Sequence, residues 1–282
     1  MQDMAQPTQD ELKQLHAALQ DVDKLVSPDG AKHWDLASPG SSLASDDDIL
    51  RPLQTSHTIG HCLSMAEDQL RALRILLTDH TGEHHFSFPM AAHNANIRSA
   101  LESSSLAIWL LSPPDQSERL RRSLRSRQYE LNHERALYQT LTADAPGDLP
   151  ATRKKHSRDR QQLMKSHQGQ KRLLRQAADQ AGINLGSLES FPGFREIVGE
   201  ASLTLGLPAT HGSGLWQAVS GLSHPSALRQ INMAEREIIG EDGDSYHVLF
   251  TASTVSVIAG VLAATRHFEG ALLPTELRGG AA

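Results

Sequence analysis

Several features that would point to a known class of chemistry are scarce or absent in this sequence. Cys62 is the only cysteine among 282 residues, so no intramolecular disulfide and no cysteine-based zinc finger can form. Neither a glycine-rich phosphate loop nor a dinucleotide-binding glycine fingerprint is present. No stretch alternates apolar and polar residues with enrichment in β-branched residues, which argues against a significant sheet.

Long apolar segments are also missing. The mean hydropathy is -0.39 and 21% of the residues are charged, which excludes a wholly disordered chain and a protein with many membrane spans. The first ten residues are polar and acidic rather than basic and apolar, so we expect no signal peptide and a cytoplasmic location. Residues 248–265 carry no charge, but their serine, threonine and glycine content is more typical of a central bundle helix, and no membrane contact is predicted.

Helical periodicity dominates the rest of the chain. Apolar residues recur every three or four positions, and Thr8 followed by Glu11 is a capping-box signature at the start of the first helix. Long helices joined by short loops predict an all-α fold, a multi-helix bundle with long antiparallel helices and no significant sheet. The predicted helices cover residues 8–26, 55–77, 89–112, 115–140, 157–181, 194–205, 213–222 and 245–269.

The domain organisation is predicted from composition. Residues 1–50 combine an N-terminal helix with a loop rich in serine, proline, glycine and aspartate. Residues 51–282 then form a helical bundle domain, in which a basic helix pair occupies about 115–181.

Positive charge is concentrated in that helix pair. The formal net charge is -6, yet residues 116–175 hold 15 Lys and Arg against 6 Asp and Glu, or +9, which leaves -15 for the other residues. Such asymmetry is typical of a surface that faces a polyanion, because neutralised phosphates release condensed counterions. The alternative is a solvated helical face with no partner. The predicted nucleic-acid-binding residues are Arg122, Arg125, Arg153, Lys154, Lys155, Arg158 and Arg160.

Charged residues also interrupt apolar helix faces. Arg127 and Glu134 share the stripe of Leu120 and Leu124 in the fourth predicted helix and so point towards the core. In the third, Arg98 and Glu102 lie four residues apart on one face. These four residues predict an internal salt-bridge cluster, which is either a structural network or a polar pocket.

Arg127 and His133 are the candidate catalytic pair. An arginine that stabilises a phosphorane and a histidine that moves the proton of a 2′-hydroxyl would cleave RNA without a metal ion. The two side chains lie about 120° apart on an ideal helix, so convergence requires local irregularity. The alternative for His133 is a solvent-facing position.

Metal-binding sets are incomplete in the sequence. Glu130 and His133 have the Glu-x-x-His spacing of carboxylate-bridged di-iron bundles, but the nearest partners are Asp244-x-x-His247, which has the wrong acid, and the lone Glu102. His57 and His61 lie one helical turn apart, yet zinc would need further convergent ligands. We therefore predict no metal and no cofactor, and keep a di-iron oxidase as the least favoured alternative.

A motif near the C-terminus carries a family resemblance. Trp216, Ser220 and His224 follow an aromatic-x3-Ser-x3-His pattern, and Arg98-x3-Glu102 precedes an apolar helix. Together these motifs resemble all-helical bacterial proteins of the HEPN group, which include toxins, abortive-infection (phage-defence) proteins and other RNases. The resemblance implies a helical bundle, a homodimer, RNA as the partner and an Arg-x4-6-His catalytic pair.

The leading hypothesis is therefore a HEPN-like protein that contacts RNA through its Arg-rich helices and acts as a metal-independent endoribonuclease. The alternative is a non-catalytic module that binds a small anionic ligand or a protein partner in a polar cleft. In both, the predicted binding residues are Arg98, Glu102, Glu130, Glu134, Ser220 and His224.

Overall fold

The structure of the chain is a computed structural model that describes residues 8–26, 34, 36–78, 86, 88–89, 91–242 and 245–272. The chain divides into two compact units, each assembled from separate segments. The first unit contains the described parts of 1–35, 59–112 and 193–274, and the second contains those of 36–58, 113–192 and 275–282. This division does not coincide with the predicted boundary after residue 50.

The all-α fold predicted from the sequence is confirmed. Helices α1 to α10 account for most of the described residues. In chain order they are α1 (Gln9–Leu25), α2 (Ser42–Ile49), α3 (Thr55–Leu77), α4 (Ala92–Leu111), α5 (Gln116–Leu141), α6 (Pro150–Gln180), α7 (Phe194–Thr204), α8 (Ala209–Leu222), α9 (Ala227–Met233) and α10 (Thr254–Leu272).

Local sequence signals set several helix ends. Thr8 and Glu11 form the predicted capping box of α1, and the side chains of Ser41 and Asp115 accept backbone hydrogen bonds at the starts of α2 and α5. Gly182 has a φ of 66°, a left-handed conformation that suits glycine and follows the end of α6. These ends are therefore fixed locally.

A short β-hairpin precedes the last helix, and the predicted start of that helix at residue 245 is wrong. Strands β1 (Glu235–Asp242) and β2 (Ser245–Thr251) pair antiparallel, and α10 begins at Thr254. The sequence of β2 is rich in aromatic and β-branched residues, which favour strand over helix when a partner strand is adjacent. The hairpin has only two strands and is not a significant sheet, so the protein still belongs to the all-α class.

The uncharged stretch 248–265 is divided between β2 and α10. Within the described residues, no helix combines the length and the apolar character needed to cross a membrane.

The first unit is organised around α4. This helix packs against α7, α8 and α10, and α1 packs against α10. Ile97 and Trp109 of α4 and Phe268 of α10 are fully buried. Gly260 permits close contact between α10 and α4, because a Cβ at that position would lie 2.6 Å from Cδ1 of Ile97.

The second unit is built on a hairpin of α5 and α6, with α2 packed against α5. Its core joins the start of α5 to the end of α6, so the two helices run antiparallel, as predicted. The core residues are Leu50, Leu120, Leu124, Leu174, Ala177, Ala178 and Ile183. The apolar seam weakens towards the connecting loop, where three large leucines are more than half exposed, namely Leu137, Leu141 and Leu149.

Candidate nucleic-acid interface

Exposed positive charge is concentrated on α6. Between residues 153 and 175 this helix has nine Lys and Arg against a single acid, Asp159. All nine basic residues are exposed. At 100° per residue, eight of the nine, all except Lys155, fall within an arc of roughly 160°. The buried residues of α6 lie outside that arc or at its edge, so the helix has one basic side and one packed side. We call the side formed by the eight basic residues the α6 basic face.

Most of this charge has no counter-charge among the described residues. Lys155 pairs with Asp159 at 3.4 Å, and Arg160 donates to the backbone carbonyl of Thr142. The other seven basic residues form no ion pair with any described residue, and they are Arg153, Lys154, Arg158, Lys165, Lys171, Arg172 and Arg175. Lone cations on a solvated helix are available to an external anion.

The two arginines of α5 that were predicted to bind nucleic acid are used differently, which the sequence did not indicate. Arg122 donates to Glu118 at 3.1 Å, and Arg125 donates to the backbone carbonyl of Ser190 at 2.5 Å and lies 3.6 Å from Glu189. The side chains of Arg122 and Arg125 are only 17% and 13% exposed. These two predicted nucleic-acid contacts therefore stabilise the second unit instead of presenting charge to solvent.

Arg127 lines a cleft of about 380 Å³ in the second unit. Its Nη1 atom donates to Glu130 at 3.1 Å, while its Nε atom is buried and has no partner among the described residues. Glu134 also lines the cleft and accepts a hydrogen bond from Tyr138, which raises the pKa of that phenol. The described residues that line it are Leu53, Arg127, Glu130, Leu131, Glu134, Ser166 and Gln170. One guanidinium against two carboxylates gives this cleft no excess positive charge.

His133 is not among the residues that line this cleft. Its ring is exposed and contacts Tyr129 with centroids 4.2 Å apart, and Tyr129 stacks on Phe191 at 4.4 Å. Because α5 stays regular over these residues, the six-residue spacing keeps Arg127 and His133 on different sides of the helix. The structure thus does not bring the predicted catalytic pair into one cleft.

The salt-bridge cluster expected from four residues is divided between the units. Arg98 and Glu102 lie in the first unit, whereas Arg127 and Glu134 lie in the second. Arg98 pairs with Glu102 at 2.8 Å, and Arg127 pairs with Glu130 instead of Glu134.

A polar network in the first unit contains most of the residues of the C-terminal motif. Glu102 accepts from Arg98 and from the indole of Trp216, both at 2.8 Å. The Arg98 guanidinium also lies 5.7 Å from the centre of the Trp216 ring. Ser220 is half-buried and makes no side-chain hydrogen bond within the described residues.

His224 also belongs to this network. Its Nε2 atom lies 3.3 Å from Nη1 of Arg98. A guanidinium carries only hydrogen-bond donors, and the two side chains lie within hydrogen-bond distance of each other. His224, just after the end of α8, is therefore linked to the network through Arg98.

The metal sets considered from the sequence do not assemble in the described residues. Glu102 lies in the first unit, whereas Glu130 and His133 lie in the second, so this di-iron set is split between units. His57 and His61 are exposed and are not part of any group of three potential ligands in the described chain.

The fold and the site together define an all-α protein in which one 31-residue helix presents a row of exposed cations. No protein-family model, no curated protein and no solved structure matches this chain. The HEPN-like resemblance therefore stays an expectation that rests on its short motifs.

Proposed function

We propose that the protein binds RNA through phosphate contacts made by the α6 basic face. The observation that supports this proposal is the row of seven exposed basic side chains without ion-pair partners in the described chain. Residues 153 to 175 span about 33 Å at 1.5 Å per residue, enough for a helix to contact several successive phosphates. Each phosphate neutralised by lysine or arginine releases a counterion, which makes binding favourable and dependent on salt.

The choice of RNA over other polyanions rests on the HEPN-like resemblance. Phosphate contacts alone do not distinguish RNA from DNA. The binding assay therefore compares single-stranded RNA, duplex RNA, duplex DNA and heparin of matched charge. Preference for one of the RNA forms supports the proposal, and equal affinity for all four would reduce it to general polyanion binding.

The first prediction concerns removal of charge from the α6 basic face. Changing Lys154, Arg158, Lys165 and Arg172 to Gln should weaken RNA binding at least tenfold in low salt. For single-stranded RNA, the slope of log affinity against log salt should become shallower by about 0.7 for each phosphate that is no longer neutralised. Fluorescence anisotropy with labelled RNA at several salt concentrations measures both quantities.

A control variant separates the face from the overall charge. Four exposed basic residues that pair with neighbouring acids are changed to Gln, namely Lys13, Lys24, Arg51 and Arg266. This variant has the same net charge as the α6 variant. If both variants lose affinity equally, the proposed location of the interface is wrong, and an affinity independent of salt would overturn the proposal altogether.

RNA cleavage by Arg127 and His133 stays a prediction, and the different surroundings of the two side chains weigh against it. The same anisotropy samples, run on denaturing gels, measure cleavage directly. A small anionic ligand in the Arg127 cleft is disfavoured because Glu130 and Glu134 outnumber the single cation there.

The homodimer, the cytoplasmic location and the toxin or phage-defence role also stay predictions. Analytical ultracentrifugation of the purified chain tests the first of them.

A further inference from the structure

The loop that joins α5 to α6 brings two carboxylates and one imidazole together. Asp144 and Asp148 belong to this loop, and His156 follows on the second turn of α6. Nδ1 of His156 lies 3.7 Å from Oδ1 of Asp144 and 3.7 Å from Oδ2 of Asp148. These ligand atoms all lie within 4.8 Å of one another, as in no other such group of the described chain.

The imidazole distinguishes this cluster from an ordinary group of surface acids. Nδ1 of His156 is shielded from solvent and has no hydrogen-bond partner among the described residues, because both carboxylates lie beyond hydrogen-bond distance. A shielded polar atom without a partner is unfavourable. A cation placed between the three atoms would satisfy the ring nitrogen and both carboxylates at once.

The loop holds one of the two carboxylates in place without neutralising it. Oδ2 of Asp148 accepts a hydrogen bond from the backbone of Ala145 at 2.6 Å, and Arg160 bonds to Thr142 at the start of the loop. Neither Asp144 nor Asp148 pairs with a lysine or an arginine of the described chain. The electrostatic potential is therefore negative at the point on which the three side chains converge.

We propose that Asp144, Asp148 and His156 bind one zinc ion. Zinc takes imidazole nitrogen and carboxylate oxygen at about 2.0–2.2 Å in a tetrahedral arrangement, which places ligand atoms roughly 3.4 Å apart. The observed separation of 3.7 Å between nitrogen and oxygen needs only small side-chain rotations to reach that value. Magnesium and calcium are disfavoured because they prefer oxygen ligands throughout.

Bound zinc would tie the connecting loop to the first turns of α6. It would thereby brace the end of the helical hairpin at which the apolar seam between α5 and α6 is weakest. Three protein ligands leave a fourth position for water. None of the three proposed ligands belongs to the α6 basic face, so zinc binding and RNA binding can be tested separately.

The test is a zinc titration of the full chain after treatment with a chelator, with a competing chromophoric chelator as the reporter. The wild type is expected to hold one zinc ion more than His156→Ala, and Asp148→Asn should weaken that site at least tenfold. His61→Ala removes an exposed imidazole from the pair His57 and His61 and should bind zinc as the wild type does. Equal stoichiometry in the wild type and His156→Ala would overturn the proposal.

A second measurement locates the ion without any substitution. Diethyl pyrocarbonate modifies accessible histidines, and mass spectrometry identifies which ones react. Zinc should slow the modification of His156 at least fivefold and leave that of His61 unchanged. Unchanged reactivity of His156 at saturating zinc, or protection of His61 alone, would show that the ion binds elsewhere.

Discussion

At the scale of single residues, a buried ion pair shows how much the surroundings decide the role of an arginine. Arg119 donates to Asp46 through two nitrogens, at 2.6 and 3.1 Å, and both side chains are at most 5% exposed. Its remaining nitrogen donates to the carbonyls of Pro113 and Pro114. The sequence placed Arg119 within the basic segment and gave no sign that its charge is used inside the second unit.

Removal of this arginine should therefore destabilise the second unit. Arg119→Met leaves Asp46 buried without its charged partner, and we expect the free energy of unfolding to fall by about 3 kcal/mol or more. The double variant that also changes Asp46 to Leu should recover part of the loss, because it leaves no unpaired charge. Urea denaturation followed by circular dichroism measures each value.

An exposed ion pair in the same unit provides the comparison. Arg51 and Asp48 are 2.9 Å apart, with side chains 68% and 70% exposed. Arg51→Met should cost less than about 1 kcal/mol, since water screens this pair. Equal losses from Arg51→Met and Arg119→Met would contradict the importance assigned to burial.

At the scale of elements, the contact between α7 and α8 depends on a glycine. A Cβ at Gly212 would overlap Oγ of Ser202 and lie 3.0 Å from the carbonyl oxygen of Val198. Ser202 has no freedom to move aside, because it is fully buried and donates to the same carbonyl at 2.8 Å. The close approach of the two helices therefore requires that this position lacks a side chain.

Gly212→Ala should separate these helices and lower the free energy of unfolding by about 1–3 kcal/mol, as overpacking of a core does. Gly214 lies on the same helix with nothing within 4 Å of an added Cβ. Gly214→Ala should be neutral or stabilising by up to about 1 kcal/mol, through helix propensity. Thermal melting by circular dichroism compares the two variants, and a decrease of the same size in both would exclude a steric cause.

At the scale of the whole molecule, the first unit gains a dependence on pH from histidines in its interior. Burial lowers the pKa of His267 below its ordinary value of 6.5, and its hydrogen bond to the Ala263 carbonyl opposes this shift only in part. Burial likewise lowers the pKa of His93, against the effect of the Pro89 carbonyl. In the unfolded chain both side chains take up protons near pH 6.5.

The sign of the effect follows from this difference. Below about pH 6.5 the unfolded state binds protons that the folded state does not. The free energy of unfolding therefore decreases as the pH is lowered, until the pH reaches the lowered pKa of the folded state. Each histidine contributes at most about 1.4 kcal/mol per pH unit. Urea denaturation followed by tryptophan fluorescence reports on the first unit, since that unit contains Trp34, Trp109 and Trp216.

His267→Gln should flatten this dependence between pH 7.5 and 5.5. His61→Gln, which removes an exposed imidazole, should leave the dependence as steep as in the wild type. An unchanged slope in His267→Gln would show that other groups cause the acid sensitivity.

The features that the sequence predicts correctly are those that depend on interactions between nearby residues. The all-α class, the capping box at Thr8 and the antiparallel pair α5 and α6 depend on neighbours within a few residues or on a short connection. The predicted start of α10 at residue 245 was wrong because pairing with β1 decides the conformation of β2. That pairing is a contact outside the helix itself. Of the candidate site, Arg98, Glu102 and His224 do meet, whereas Arg127 and His133 do not share a cleft.

The sequence by itself determined that this chain forms helices, where most of them end, and that positive charge is concentrated in two of them. Periodicity, capping and composition are local properties, so they can be recognised in the sequence without knowledge of the tertiary structure. Only the tertiary structure decided which charges remain available. It paired the inward arginines of α5 with acids and carbonyls, and it left the outer face of α6 without counter-charges among the described residues. It also gathered two aspartates and a histidine at the loop between these helices. The physical reason is that helix packing, and not the local sequence, decides which side chains meet a partner and which face solvent.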